Sequence, residues 1–460
     1  MQPTGWRLLA AVSAVAAALG VTTAATRPRY GGTLRLEIRE RLATLDPAEK
    51  SSGVAARIEA FVFDRLVRID DEGRPQPALA ISWQSDSEQK RWEFRLRPGV
   101  QFQDGYPLTA ATVGGVLQRL LGSQGNIAVA ADSVVVKLDR PTPGLLAELA
   151  RPSASVAARS HEGALVGTGP FRVAHFDAGR HLSLAAFEGH WGGRPFVDTL
   201  EIEMGRTTRE QFVDLQVGKA DVIELAPNEL RNAVERGTKT WVSAPVELLA
   251  LVFGPGRASD DARLREALAL SIDRAAIHNV LLQRQGIVTG ALLPQWLSGY
   301  AFLFPTAMNL ARARQLAAEV PAAERTLPLA YDPADPQARI LAERLAVNAR
   351  DAGITLQVTN QPKSELRLVR THFSSLDAAV ALTELSAALA LGDPGVPAGE
   401  RRPEALYTAE RTLLEGFRVV PLFHLPDAYG VNAKVKTWQR PGVGRLGWLN
   451  LADIYLEPAP

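Results

Sequence analysis

Residues 92–121 read Trp-Glu-Phe-Arg-Leu-Arg-Pro-Gly-Val-Gln-Phe-Gln-Asp-Gly-Tyr-Pro-Leu-Thr-Ala-Ala-Thr-Val-Gly-Gly-Val-Leu-Gln-Arg-Leu-Leu. Trp92 to Leu96 alternates apolar and polar side chains, the pattern of a half-buried strand, and Pro98-Gly99 ends it. Gln103-Asp104-Gly105 reads as a turn in which Gly105 takes a left-handed conformation. Leu108 to Leu121 then reads as a helix capped by Thr109, with Val113, Val116, Leu117 and Leu120 at helical spacing. Strand, turn and helix follow one another within thirty residues.

The alternation continues in both directions. Upstream, Gly32 to Ile38 reads as a strand, and a helix follows with Ser52 as a candidate N-cap and Val54, Ile58, Phe61, Val62 and Leu66 on one face. Downstream, Val134 to Leu138 is a strand and Leu264 to Leu282 a helix with Leu268, Ile272 and Ile277 on one side. Leu327–Tyr331, Ala338–Ala352 and Ile354–Val358 read as strand, helix, strand, the signature of a parallel βαβ unit. The Gly- and Pro-rich segment Gly392 to Pro403 is the nearest thing to a linker. The chain is an α/β protein, and its 460 residues exceed what one hydrophobic core holds, so two or more lobes are expected.

Charge names no partner. Fifty-one basic residues against fifty acidic ones leave a net +1, which gives no electrostatic footprint for nucleic acid. At the amino end, Arg7 gives a short positive region, Leu8 to Val21 an uncharged apolar run, and Thr23-Ala24-Ala25 small residues for cleavage. Residues 1–25 are therefore expected to be a cleavable signal peptide. The alternative, a membrane anchor, requires about 20 apolar residues. With no cysteine, no disulfide forms and no lipid can be attached at the cleavage site, so a soluble protein free in the periplasm is expected.

Enzyme motifs fare poorly. Gly442, Gly444 and Gly447 match Gly-x-Gly-x-x-Gly, but Pro441 breaks the approach that a dinucleotide-binding βαβ unit needs. There is no phosphate loop, no Gly-x-Ser-x-Gly elbow and no His-Glu-x-x-His helix. The seven histidines form no pair at a helical metal spacing, so no metal and no cofactor is expected. His424 reads as a structural residue near the final strand.

Several segments carry a resemblance, in order along the chain: Phe63-Asp64-Arg65-Leu66-Val67, Pro77-Ala78-Leu79-Ala80, Ser82-Trp83, Trp92-Glu93-Phe94, Leu96-Arg97-Pro98-Gly99-Val100 and Phe102-Gln103-Asp104-Gly105. Gly167-Thr168-Gly169-Pro170-Phe171, Trp191-Gly192-Gly193-Arg194-Pro195, Val217-Gly218-Lys219-Ala220-Asp221 and Arg263-Leu264-Arg265-Glu266-Ala267-Leu268 leading to Ile272-Asp273-Arg274 follow. Together they resemble the extracellular solute-binding proteins of family 5, the dipeptide-, oligopeptide- and nickel-binding components of ABC importers. The resemblance covers roughly residues 31–360 well and 415–433 moderately. Each motif also has a structural reading: Gly167 and Gly169 would allow positive φ where the chain changes lobe, Asp273 and Arg274 fit an ordinary mid-helix packing pair, and Trp83, Trp92 and Trp191 suit core or lobe-interface positions.

The resemblance implies a two-lobed periplasmic binding protein fold, type II and cluster C-like, with an extra subdomain in lobe I and a hinge between the lobes. Lobe I would comprise 26–48, 166–245 and 420–460, with the subdomain at 49–165. Lobe II would be 246–419, shortened near 394–421. It further implies a monomer that closes over a peptide-like or other small solute and delivers it to ABC transporter permease subunits, without catalysis. The rival is a stand-alone periplasmic receptor that reports ligand to a membrane sensor. Ser51, Ser52 and Gly53 match a ligand-facing segment of dipeptide binders, although Ser52 also fits a plain N-cap. Leu251, Val252 and Phe253 match a strand bordering the cleft, but Gly254-Pro255 stands where the family carries Phe-Asn. Around Thr383 and Glu384 the chain lacks the family's Gly-Trp and its ammonium-binding Asp; only Glu384 could substitute.

Overall fold

The computed structural model describes residues 28–49, 53–256, 259–300 and 306–457. The proposed signal segment 1–25 and the candidates Ser51 and Ser52 lie outside the described residues.

Strands alternate buried and exposed residues as their sequences dictate: Arg91–Leu96 buries Trp92, Phe94 and Leu96 and exposes Arg91 and Arg95. It lies in a four-stranded antiparallel sheet ordered Ala80–Ser85, Arg91–Leu96, Ser133–Leu138, Gly125–Val129. The helix Ala110–Leu121 covers this sheet with Val113, Val116 and Leu117, and Thr109 caps it by accepting the Thr112 N–H. This subdomain has its own core, built from residues of the 66–156 stretch.

Among the described residues, 11 of the remaining strands join one mixed sheet, and the others pair in three two-stranded ribbons. One end, lobe I, carries Phe171–Asp177, His181–Ala186, Thr199–Glu203, Thr33–Glu37 and Val222–Leu225 in spatial order. The other end, lobe II, carries Leu366–His372, Thr326–Ala330 and Thr355–Thr359. Two long strands, Lys239–Phe253 and Val419–Val431, run antiparallel through both ends and make the sheet continuous. Their ladder shifts register on both sides of the pair Pro245 and Pro426. Proline has no N–H to give a ladder, so facing prolines weaken the pairing where the lobes meet. Lobe II buries both faces of its sheet: Leu249, Leu251 and Phe253 enter one core, Leu248, Ala250 and Val252 the other.

The βαβ unit forms as its pattern predicts: Thr326–Ala330 and Thr355–Thr359 are parallel, joined through the helix Ala338–Asp351. Three local expectations change. The helix read over Leu264–Leu282 stops at Ser271, and Asp273 caps a new short turn by accepting the Ala276 N–H. Arg274 is consequently no mid-helix surface partner: it is 3% exposed and donates to the carbonyls of Pro421, Ala269 and Thr306. The first helix, Gly53–Val62, ends four residues short of Leu66, whose side chain joins the subdomain core instead.

Gly167 and Gly169 differ in cause. Neither adopts positive φ. A Cβ on Gly167 would lie 2.0 Å from the Val62 carbonyl oxygen, and one on Gly169 2.6 Å from the Val62 carbonyl carbon. Glycine is needed there for backbone approach, and the Gln103 side-chain amide fixes that approach by donating to the carbonyls of Val62, Gly169 and Phe171.

Candidate functional site

A cavity of about 1380 Å³ lies between the lobes over the crossing strands. Arg39 enters it just beyond Thr33–Glu37, and Arg57 from the helix Gly53–Val62. Glu224 comes from Val222–Leu225, Glu247 from the first crossing strand, and Arg370 and His372 from Leu366–His372. Trp448 and Leu446 close one wall.

These charges form a chain across the hinge. Arg57 Nη2 lies 3.0 Å from Asp427 Oδ2, and Asp427 Oδ1 lies 3.1 Å from His372 Nε2. His372 Nε2 is also 3.9 Å from Glu247 Oε1. Arg370 then joins Glu247, at 2.8 Å, to Asp335, at 2.6 Å. Beside it, Arg39 Nε lies 3.1 Å from Glu224. Glu247 and Asp427 sit two residues past Pro245 and one past Pro426, so the chain straddles the register shift.

Burial alone would protonate such carboxylates, but the neighbouring cations outweigh it. Burial pulls Asp427 upward, yet Arg57 and His372 hold it down at about 2. Burial likewise pulls on Glu247, and Arg370 and His372 keep it below the ordinary carboxylate range. Arg57 and Arg39 lose by burial and gain more from Asp427 and Glu224 respectively, so both stay charged. The cleft floor is thus ionic, each of its buried carboxylates held against an arginine with Glu247 and Asp335 sharing Arg370, and its donors and acceptors are fixed before any solute arrives.

The sequence candidates fall in different places. Gly53 lines the cleft, where a Cβ would stand 3.1 Å from the His372 ring. Leu251, Val252 and Phe253 are 0%, 3% and 5% exposed and pack into the two lobe II cores, so their side chains do not line the cavity. From the same strand, Glu247 does. Thr383 turns its hydroxyl back to the Ala379 carbonyl at 2.9 Å, while Glu384 reaches the cavity wall. His424 is 1% exposed in the crossing strand and bonds the Leu292 carbonyl. Sequence reading missed Arg39, Arg57, Glu224, Glu247, Arg370, His372 and Asp427. A signal did exist: Glu247 interrupts the run Ala244–Phe253 and Asp427 the run Val419–Val431 as the one acidic residue in each.

Among the described residues, no group of three or more His, Asp or Glu could hold a metal ion, and no helix is long and apolar enough to cross a membrane.

Two lobes around a hinged cleft define the class: the fold is that of the two-lobed solute-binding proteins. NikA from Staphylococcus aureus, in complex with Ni(L-His)2, superposes with a TM-score of 0.81 at 17% identity, covering 92% of this chain and 100% of that one. The oligopeptide-binding protein AppA from Bacillus subtilis, in complex with a nonapeptide, superposes with a TM-score of 0.79 at 15% identity, covering 94% and 100%. In sequence, the probable D,D-dipeptide-binding periplasmic protein DdpA of Escherichia coli is 26% identical over 289 residues, 56% of each chain. The alignment thus spans little more than half of that relative's length. Residues 74–390 match the bacterial extracellular solute-binding proteins, family 5 Middle, and the chain belongs to that family.

Proposed function

We propose that this chain is a periplasmic solute-binding protein that captures a peptide-like or other small solute between its lobes and hands it to ABC transporter permease subunits, without chemical turnover. The observation that carries this reading is the 1380 Å³ cavity floored by charges from both lobes and both crossing strands. Such a volume exceeds the 300–1,000 Å³ usual for small-molecule sites and leaves room for an extended solute with its water. In this reading lobe I comprises 26–48, 166–245 and 420–460 with the subdomain at 49–165, lobe II is 246–419, and the second crossing moves toward Pro426. Gly53, Arg39, Arg57, Glu247, Arg370 and His372 meet the solute. Residues 1–25 are removed on export and the mature chain is monomeric.

The test is a thermal-shift screen over peptides, metal chelates, sugars and opines. A true solute at about 100 times its dissociation constant adds about 2.7 kcal/mol of stability, and the radius of gyration falls in small-angle scattering. A library-wide absence of shift, or stabilisation without compaction, counts against capture by closure.

A further inference from the structure

We infer that Glu384 is a latch that holds the lobes closed through Arg151, not an anchor for the solute; the inference rests on the two-lobed capture reading. Arg151 stands just after the subdomain helix Leu145–Leu149, and Glu384 lies on the lobe II helix Ala378–Ala388. Arg151 Nε and Glu384 Oε1 are 3.0 Å apart across the cavity wall. Both oxygens of Glu384 are also engaged within lobe II, Oε2 by the Ser374 N–H and Oε1 by its hydroxyl, each at 2.7 Å. Arg151 is held from its own side by Glu148 at 2.9 Å. The carboxylate is therefore aimed and neutralised before a solute arrives.

A second contact beside the pair points the same way. Gly144 has φ −89° and ψ 10°, a conformation open to any residue, so local geometry does not require glycine. A Cβ there would lie 2.1 Å from the carbonyl carbon of Ala398, in lobe II. Glycine is required only by the approach of the two lobes. Asp377 binds the two features into one body: Oδ1 caps the helix bearing Glu384, and Oδ2 accepts the Gly399 N–H at 3.1 Å. The latch and the glycine contact thus close as a unit.

The experiment is small-angle scattering on the solute-free protein. Glu384→Gln keeps the side-chain size and still accepts the Ser374 N–H through its one carbonyl oxygen, while its amide nitrogen replaces the acceptor facing Arg151 and the Ser374 hydroxyl; charge and acceptor are lost together, lowering the closed-to-open ratio about ten-fold, the scale of a lost charge-assisted contact. The radius of gyration should rise, and it should rise again in Gly144→Val, which leaves every charge in place. A solute-free Glu384→Gln protein as compact as wild type overturns the latch, as does lost solute affinity with unchanged compaction, which is the behaviour of an anchor. In this inference the solute-free protein populates open and closed lobes together, so a solute still compacts it and loss of the latch still expands it; because no solute is added, a failed screen leaves the latch decidable, and a failed latch leaves capture intact.

Discussion

Glu410 and His424 grip the same residue from opposite sides. Fully buried Glu410 accepts the N–H groups of Leu292 and Leu293 and the Tyr300 hydroxyl, while His424 Nε2 meets the Leu292 carbonyl at 2.9 Å. Burial raises Glu410 to about 7, against the opposing pull of its three donors, and lowers His424 to about 4. A carboxyl raised on folding contributes stability that is full below its unfolded value near 4.5 and is lost as pH rises through about 7. His424 works oppositely, its contribution full above 6.5 and lost as pH falls through about 4. Glu37, also raised to about 7, loses stability over the same window, so Glu410→Gln should reduce but not abolish the loss between pH 4.5 and 7 while leaving the acid-side loss. Urea unfolding at half-unit pH steps checks this; an unchanged profile would show that the donors hold Glu410 ionised. None of this pairing was legible in the sequence, because Leu292, Glu410 and His424 meet only through tertiary folding. Thr109 was legible, since a cap acts within three residues of itself.

At the scale of elements, periodicity named the strands and the βαβ helix because each lies on a sheet with a defined buried face. It overran at Leu264–Leu282, where the apolar spacing continues through Asp273. The side-chain oxygen of Asp273 competes with helix continuation by capping the next turn. The sheet order was not legible: one sheet through both lobes depends on crossing strands more than 160 residues apart. The Gly167-Thr168-Gly169-Pro170 segment was legible as a junction but not in its cause. Since Gly167 needs space and not positive φ, Gly167→Ala should fold with intact local conformation and push against the Val62 carbonyl. Overpacking of this kind costs about 1–3 kcal/mol. Chemical denaturation should show a lower midpoint with an unchanged slope, whereas a loss under about 0.5 kcal/mol, the range of ordinary surface changes, would mean the junction yields freely.

For the whole molecule, the question is what a cleft of paired charges selects. A free peptide ammonium needs a carboxylate whose charge is not already spent. Around the cavity, Glu224 faces Arg39, Glu247 and Asp335 share Arg370, Asp46 faces Arg159, and Glu384 faces Arg151. Asp332 carries no arginine but is exposed, where an ion pair is worth little. At all of these pairs except the exposed Asp46–Arg159 pair, an ammonium would have to displace an arginine and leave that part-buried cation uncompensated. A well-formed charged hydrogen bond contributes about 1.5–3 kcal/mol, or about 10- to 150-fold in affinity, and each buried or part-buried carboxylate named here already faces an arginine. Calorimetry with a set of dipeptides and their N-acetylated forms should therefore give weak binding for both, with acetylation changing the dissociation constant by less than about three-fold, within 0.7 kcal/mol. Tight binding of the free forms that collapses on acetylation would mean that one of these carboxylates releases its arginine to the solute, and repeating the titration in Glu384→Gln would show whether it is this one.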